Sequence, residues 1–511
     1  MNSLIGVLMR FRKEYVAITC DIEQMFHSFY VNPEHRDYLR FLWFKDNDLD
    51  GSIVHCRMNV HVFGATSSPG VANFSLQKTA DVGRDKFGPE AADFLQNDFY
   101  VDDGFKSLPT DEEAINLIQT TQAMCASANL RLHKFASNRR QVLEAVPVND
   151  RAKDLKDLDL RHDALPVQRS LGTFWCIESD TLGFRIELKD KPTTRRGILS
   201  TISSVYDPLG IVSPIILVGK QILQDLCCQN VDWDEPLSDE ILTRWERWRN
   251  DLPLLQEVKV SRCLKPPEFG DLVEVGIHSF ADASEKGIGE VSYLRIINAK
   301  NEVHVAFLMA KSRVSPIKPM SIPRLELTAA VVAVNVATML KNELNYDDLQ
   351  TVYYTDSEVV LGCINNEARR FHTYVGNRVQ HIRDRSKPEQ WRHVDGKENP
   401  ADQASRGLTV PELLNEKRWL AGPSFLWLRE LPMTDSSQEL EENDTEVKLK
   451  VTSTTLSSLI SNVDSPEAIK QQEETSKEAP CNLPLKYFDR FSNWRQAKKW
   501  LACIKRGVNI L

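Results

Sequence analysis

Seven acidic residues carry the chemistry worth weighing: Asp21, Asp102, Asp103, Asp282, Glu326, Asp356 and Asp402. They fall into two sets. In the first, Asp21 closes YVAITCD (15–21), an apolar run that predicts a buried strand ending in a carboxylate. Asp102 and Asp103 lie in DFYVDDG (98–104), a short strand entering a tight turn. Carboxylates gathered at one sheet edge repel one another without cations, so together they suit a divalent-metal site. Two ions about 4 Å apart activate an attacking oxygen and stabilise the leaving one in phosphoryl transfer. Adjacent aspartates in a turn point apart, so one of Asp102 and Asp103 is expected to be the stronger ligand. Taken alone, Asp-Asp-Gly is also an ordinary hairpin turn.

The second set is built the same way. Asp282 ends the apolar run VGIHSFADAS, and Gly287–Ile297 and Val303–Lys311 continue as two further strands. Glu326 sits in a helix opened by Ser321 and Pro323, over SIPRLELTAAVVAVNVATML. Asp356 ends the strand TVYYTDSE, and Asp402 lies in ENPADQASRG, where Pro400 suits the first turn of a helix. Singly, Asp356 reads as a helix cap and Glu326 as a surface partner. Four converging acids read as a second divalent-metal cradle. Glu290, in GIGEVSYL, is expected to point to solvent or to add an acid near this set.

The elements that must position these groups read as α/β and α+β, in several domains. A helix is predicted over 111–129, started by Thr110 and its acids, and Pro266-Pro267 breaks the chain before the second set. Trp233, Trp245 and Trp248, at near-helical spacing, read as core rather than as base-stacking platforms. Between Asp435 and Glu478 eleven acids face four lysines, and few aromatics offer a core, so this stretch reads as a linker. From Cys481 onward seven basic residues and one acid accompany Phe488, Phe491, Trp494 and Trp500, as in the start of a further unit. The total charge of -9 over 511 residues therefore leaves -8 on residues 1–434. Hydrophobic residues at 42% and charged ones at 26% exclude wholesale disorder. No uninterrupted apolar run reaches the ~18 residues that span a bilayer. Ten cysteines without a Cys-x-x-Cys pair argue against a zinc ribbon and a disulfide framework. The expectation is an intracellular protein with no membrane partner.

FYVDDG resembles the Tyr-x-Asp-Asp hairpin of reverse transcriptases, CDIEQMF the motif with their first metal-binding aspartate, and FGATSSPG the segment along the incoming nucleotide. SLIGVLMRFR, GILSTISSVYDPLGIVSP and VDWDEPL look like Pol polyproteins of the BEL/Pao class of LTR retrotransposons. IPRLEL, YYTDSE and NPADQASRG are similar to the ribonuclease H motifs that carry an Asp-Glu-Asp-Asp set. The resemblance reaches to about residue 430. It implies a partial polymerase palm over 1–165 with the fingers truncated, a thumb and connection over 166–270, and a ribonuclease H-like domain over 271–425. That domain would be a mixed five-stranded sheet with helices. Residues 426–480 would be the acidic linker and 481–511 an incomplete further unit.

The resemblance also implies roles. Asp21, Asp102 and Asp103 would be the polymerase metal triad, and Asp282, Glu326, Asp356 and Asp402 the ribonuclease ligands, with two Mg²⁺ or Mn²⁺ per site. Phe26 would exclude a ribose 2′-hydroxyl, or is a core aromatic. Gly64, Ser68, Pro69 and Tyr100 would line the nucleotide pocket. Lys134 would match a late palm lysine, or is a solvated one, and His393 a histidine assisting product release. Thr194-Arg195-Arg196 and the helix-like stretch 221–228 would help hold the duplex. The implied activities are RNA-directed DNA polymerase and an endonuclease cutting the RNA strand of hybrids, within an element whose cycle ends in DNA integration. Partners would be RNA–DNA hybrid, RNA template with DNA primer, and deoxynucleoside triphosphates. The expected location is cytoplasmic, in virus-like particles, and nuclear. With twenty residues before Asp21, polymerisation by this chain alone is not expected. The alternative is a non-catalytic or domesticated nucleic-acid-binding protein.

Overall fold

The apolar run after Tyr15 forms β1 (Val16–Ile22), buried along its length except at Asp21. Beside it lie β2 (Phe99–Tyr100), β3 (Asp103–Leu108) and β4 (Leu132–Ser137), in the antiparallel order β2-β3-β1-β4. The pairing of β1 with β4 carries a bulge between Thr19 and Asp21, a device that re-aims side chains. Helix α1 (Leu4–Phe11) precedes this sheet, α2 (Ser68–Phe87) enters it from the FGATSSPG loop, and α3 (Asp111–Ser127) is the helix expected there. Thr110 Oγ1 accepts from Glu113 N at 3.2 Å, satisfying one of the free donors at the start of α3. An exposed hairpin, Arg40–Phe44 with Ile53–Arg57, connects β1 to α2.

The computed structural model describes residues 2–432, apart from 157, 161, 162, 171 and 367–369. All the described residues lie in one compact unit, within Met1–Lys448. The expected acidic linker from Asp435 and the aromatic, basic segment after Cys481 lie outside the described residues.

A second antiparallel sheet comes from four short strands, Val167–Ser170, Thr173–Cys176, Thr181–Gly183 and Lys259–Ser261. Helix α4 (Ser213–Cys228) follows it in part. Trp245 and Trp248 are buried and stack at 5.2 Å, as core residues should. Trp233 departs from that expectation: it is 42% exposed, under the Arg195 guanidinium at 4.2 Å.

The last sheet has five strands, β5 (Leu272–Ala283), β6 (Gly287–Asn298), β7 (Val303–Val314), β8 (Gln350–Thr355) and β9 (Trp391–His393), in the order β7-β6-β5-β8-β9. β5, β6 and β7 pair antiparallel, while β8 and β9 join in parallel. The sheet is therefore mixed, in the strand-strand-strand-helix-strand order that the sequence predicts. All twelve residues of β6 are buried, which requires cover on both faces. Helix α5 (Ile322–Leu344) supplies part of it, with a proline in its first turn and Asn345 ending it at φ +46. By length and composition α5 could cross a membrane; here it packs against β5 and β6. The six-residue α6 (Ala401–Arg406) packs against the same two strands. The stretch from residue 426, expected as linker, is bonded to the fold as far as Arg429. Leu426 is fully buried, and the buried Arg295 donates to the carbonyls of Leu426, Leu428 and Arg429 at 2.9, 2.6 and 2.8 Å.

Candidate functional site

At the first set, strand pairing does the assembling. Asp21 of β1 lies opposite Asp103 of β3 on one side and His133 of β4 on the other. Asp102 sits in the turn between β2 and β3, where its carbonyl accepts from Ile22 N at 2.9 Å. Burial, followed by the charges of Asp102 and Asp21, pushes the Asp103 carboxyl up to about 6. Burial likewise raises Asp102, opposed by a backbone hydrogen bond and reinforced by Asp21. The three aspartates therefore share one field of negative charge.

Asp21 is already paired. His133 Nε2 lies 2.7 Å from its Oδ1 and Lys134 Nζ 3.1 Å from its Oδ2. Lys134 is thus neither free nor buried: its side chain is 55% exposed, at a backbone φ of +54. Sequence reasoning missed His133, whose partner Asp21 lies on a strand far earlier in the chain. Phe26 is buried and meets Phe63 edge-to-face at 4.9 Å, the core role of its two readings. Gly64 faces open space at φ +85, a conformation glycine adopts freely. Ser68 departs from a pocket-lining role: it is buried and its hydroxyl donates to Val62 O at 2.8 Å. Pro69 lies in the first turn of α2, and half-buried Tyr100 pairs in register with Asp103.

The second set gathers at one end of the five-stranded sheet. Asp282 lies opposite Gly289, the position approached by α6: a Cβ there would meet Ala401 O and Ser405 N at 2.6 Å. The buried Ser405 hydroxyl donates to Asp282 Oδ2. Asn399 Nδ2 donates to Asp356 Oδ1 at 3.4 Å and to Ala281 O at 3.2 Å. Ser357 Oγ donates to Glu326 Oε2 at 2.6 Å, tying α5 to the end of β8. Asp402 differs, because its partner is a cation, Arg406 Nε one turn along α6. Burial raises Asp282 to about 6, against the Ser405 hydrogen bond and with the charges of Asp356 and Asp402. Burial also raises Glu326 and Asp356; their own donors oppose it, and the charge of His393 favours the Asp356 carboxylate. His393 itself lines a cleft with Tyr354, Glu398 and Phe425.

Glu290 does neither of the things expected of it. It lies opposite Ala281, one residue out of phase with Asp282, so it faces away from α6. It is fully buried, with Ser279 and Ser292 hydroxyls donating to Oε1 at 3.2 and 2.5 Å.

Both sets offer only hard oxygen ligands in a field short of positive charge, which is the donor chemistry of Mg²⁺ or Mn²⁺. Among the described residues, no three His, Cys, Asp or Glu side chains stand close enough to share one ion. The donor types present suit a divalent ion, while Lys134 and Arg406 each hold one of the carboxylates.

Residues 194–357 match the family described as Pao retrotransposon-like RNaseH-like domain. That span holds Asp282, Glu326 and Asp356 and stops short of His393 and Asp402. No curated protein sequence matches the chain. Similar solved structures include two of a foamy viral protease-reverse transcriptase. The foamy viral protease-reverse transcriptase in complex with RNA/DNA hybrid is 14% identical at a TM-score of 0.46, over 77% of this chain and 46% of that one. The foamy viral protease-reverse transcriptase dRH in complex with ds DNA is 15% identical at a TM-score of 0.47, over 78% of this chain and 59% of that one. The chain thus spans about half the length of those proteins. The stretch 194–357 is thus what this chain shares with the Pao retrotransposon-like RNaseH-like domain.

Proposed function

We propose that the second site is a ribonuclease H centre that cuts the RNA strand of RNA–DNA hybrids. One observation carries this reading: four carboxylates from β5, α5, the end of β8 and α6 lie in one another's electrostatic fields at one end of a mixed five-stranded sheet, each held by a donor. Asp282, Glu326, Asp356 and Asp402 would hold divalent ions such as Mg²⁺ or Mn²⁺. A pair of these would lower the pKa of attacking water and offset charge at the cleaved phosphate. The protein's own part is orientation. Ser405, Ser357 and Asn399 fix three carboxylates without cancelling their charge, and partners of this kind are typically worth ~10–100-fold in metal affinity or activity. Selection of the RNA strand would rest on 2′-hydroxyl and minor-groove contacts. The Asp21, Asp102 and Asp103 set has the corresponding design for RNA-directed DNA polymerisation on a template-primer with deoxynucleoside triphosphates, and that activity is proposed for the assembled polymerase rather than for this chain alone. The deciding experiment incubates end-labelled RNA–DNA hybrid with the full chain and Mg²⁺ or Mn²⁺. Cleavage of the RNA strand that Asp356→Asn abolishes is expected. No cleavage, or cleavage indifferent to that substitution, would leave a non-catalytic nucleic-acid-binding protein.

A further inference from the structure

The four ribonuclease carboxylates are not held alike. Three take neutral donors: Ser405 for Asp282, Ser357 for Glu326, Asn399 for Asp356. A neutral donor orients a carboxylate and leaves its charge available to an ion. Asp402, its side chain 40% exposed, takes the Arg406 guanidinium, itself 65% exposed. An exposed i,i+4 pair of this kind is weak, on the order of 0.5 kcal/mol, and easily given up. Arg406 also lies in the fields of Asp282 and Asp356, which with Asp402 favour its charged form. The other cation that feels Asp402, Arg418, is committed elsewhere, to Glu416 at 3.0 and 3.2 Å and to the carbonyl of Lys397. The first site repeats the pattern with Lys134 on Asp21.

We propose that Arg406 is an exchangeable counter-ion: it occupies Asp402 until a divalent ion takes that carboxylate, and the freed guanidinium then pairs with a phosphate of the bound hybrid. The exchange keeps charge balanced through loading, since one cation leaves the carboxylate as another arrives. Arg406 ends α6 at the protein surface, and a guanidinium forks onto phosphate with two parallel hydrogen bonds. This inference rests on the ribonuclease reading of the same site.

Two measurements on the full chain test it. Mn²⁺ binding without nucleic acid, read by electron paramagnetic resonance, should be tighter in Arg406→Gln than in the wild type. The gain should be about threefold, because an exposed competing pair is worth ~0.2–1 kcal/mol. The gain should vanish in the Asp402→Asn background. Hybrid binding, read by anisotropy against salt with Asp356→Asn present to prevent cleavage, should lose about one unit of log–log salt slope in Arg406→Gln when Mg²⁺ is present. With a chelator the two proteins should bind alike. Equal or weaker Mn²⁺ binding in Arg406→Gln overturns the exchange, and an unchanged slope with Mg²⁺ overturns the phosphate contact. A wild type that binds no Mn²⁺ at all overturns the ribonuclease reading itself.

Discussion

A fully buried carboxyl group should make stability depend on pH, and Glu290 is such a group. Burial, opposed by the Ser292 and Ser279 hydrogen bonds and the charge of Lys311, pushes it up to about 8 from an ordinary 4.5. Its Oε2 has no hydrogen-bond partner. Between those two values the folded protein keeps a proton that the unfolded chain releases. Stability from this group is therefore complete below about pH 4.5 and is lost as pH rises through 8, by a few kcal/mol at most. Glu290→Gln keeps the Oε1 acceptor and removes the titration. Denaturation midpoints at pH 5 and pH 8.5 should differ more for the wild type than for Glu290→Gln, and parallel losses in the two proteins would refute this assignment. The same residue marks how far single positions were legible. The seven acids were visible because each sits at a strand end, a turn or a helix in recognisable company. Ser357, Asn399, Ser405 and His133, which hold four of them, were not, because serine, asparagine and histidine carry no period and their partners lie far along the chain. Glu290 was misread for a related reason: alternation fixes its face only once the register with Ala281 is known.

Helix α6 has six residues, too few to persist without tertiary support. Its support is a close approach to β5 and β6. Ser284 Oγ donates to Ser405 O at 2.9 Å, Ser405 donates to Asp282, and Gly287 and Gly289 leave room for the helix backbone. A methyl at Gly289 would press on two backbone atoms that cannot swing aside, Ala401 O and Ser405 N. Gly289→Ala should therefore push α6 outward, lowering stability by ~1–3 kcal/mol as overpacking does. Moving Asp402 by even 1 Å should cut hybrid cleavage by about 100-fold. Gly70→Ala is the counterpart: it lies in α2 with nothing within 4 Å, so the added methyl should raise stability by ~0.5–1 kcal/mol and leave cleavage unchanged. Thermal melts and the hybrid assay on the two variants check both halves, and equal behaviour would refute the close-packing account. At this scale the sequence spoke clearly, since the order of strands and helices around Asp282 to Asp402 follows from apolar runs and helix starts. What it concealed was that α6 is docked through two glycines, whose meaning appears only when the facing backbone is known.

At the scale of the molecule, two buried arginines join stretches that the sequence read as separate domains. Arg262 is fully buried; it forks onto Asp180 with both contacts at 2.7 Å and donates to the carbonyls of Phe11, Glu14 and Tyr15. Arg12, buried beside it, donates to Ser261 O, Arg262 O and Leu308 O at 3.3, 3.1 and 3.2 Å. The start of β1, the middle sheet and β7 thus meet in one network. Arg10 adds a second link, from Asp98 before β2 to Glu343 in the last turns of α5, the helix that carries Glu326. None of this was legible, because an arginine in a sequence reads as surface or as a phosphate ligand, and only burial shows that it serves backbone carbonyls. The consequence is mechanical: the aspartate sheet and the five-stranded sheet should unfold together. Removing the Arg262 charge while keeping its bulk, as in Arg262→Met, would leave Asp180 with the Trp175 indole donor and three carbonyls without their donor, a cost approaching the ~3–5 kcal/mol of breaking a buried pair. In a protein of this size that lowers the melting midpoint by several degrees, on the order of 2–4 °C per kcal/mol. Calorimetry should show one transition for the first unit. Native-state hydrogen exchange in Arg262→Met should lose protection in β1 and in β5 by similar factors. If β5 kept its protection while β1 lost it, the two sheets would be independent bodies, and the fixed separation of the two carboxylate sites that the network implies would not exist.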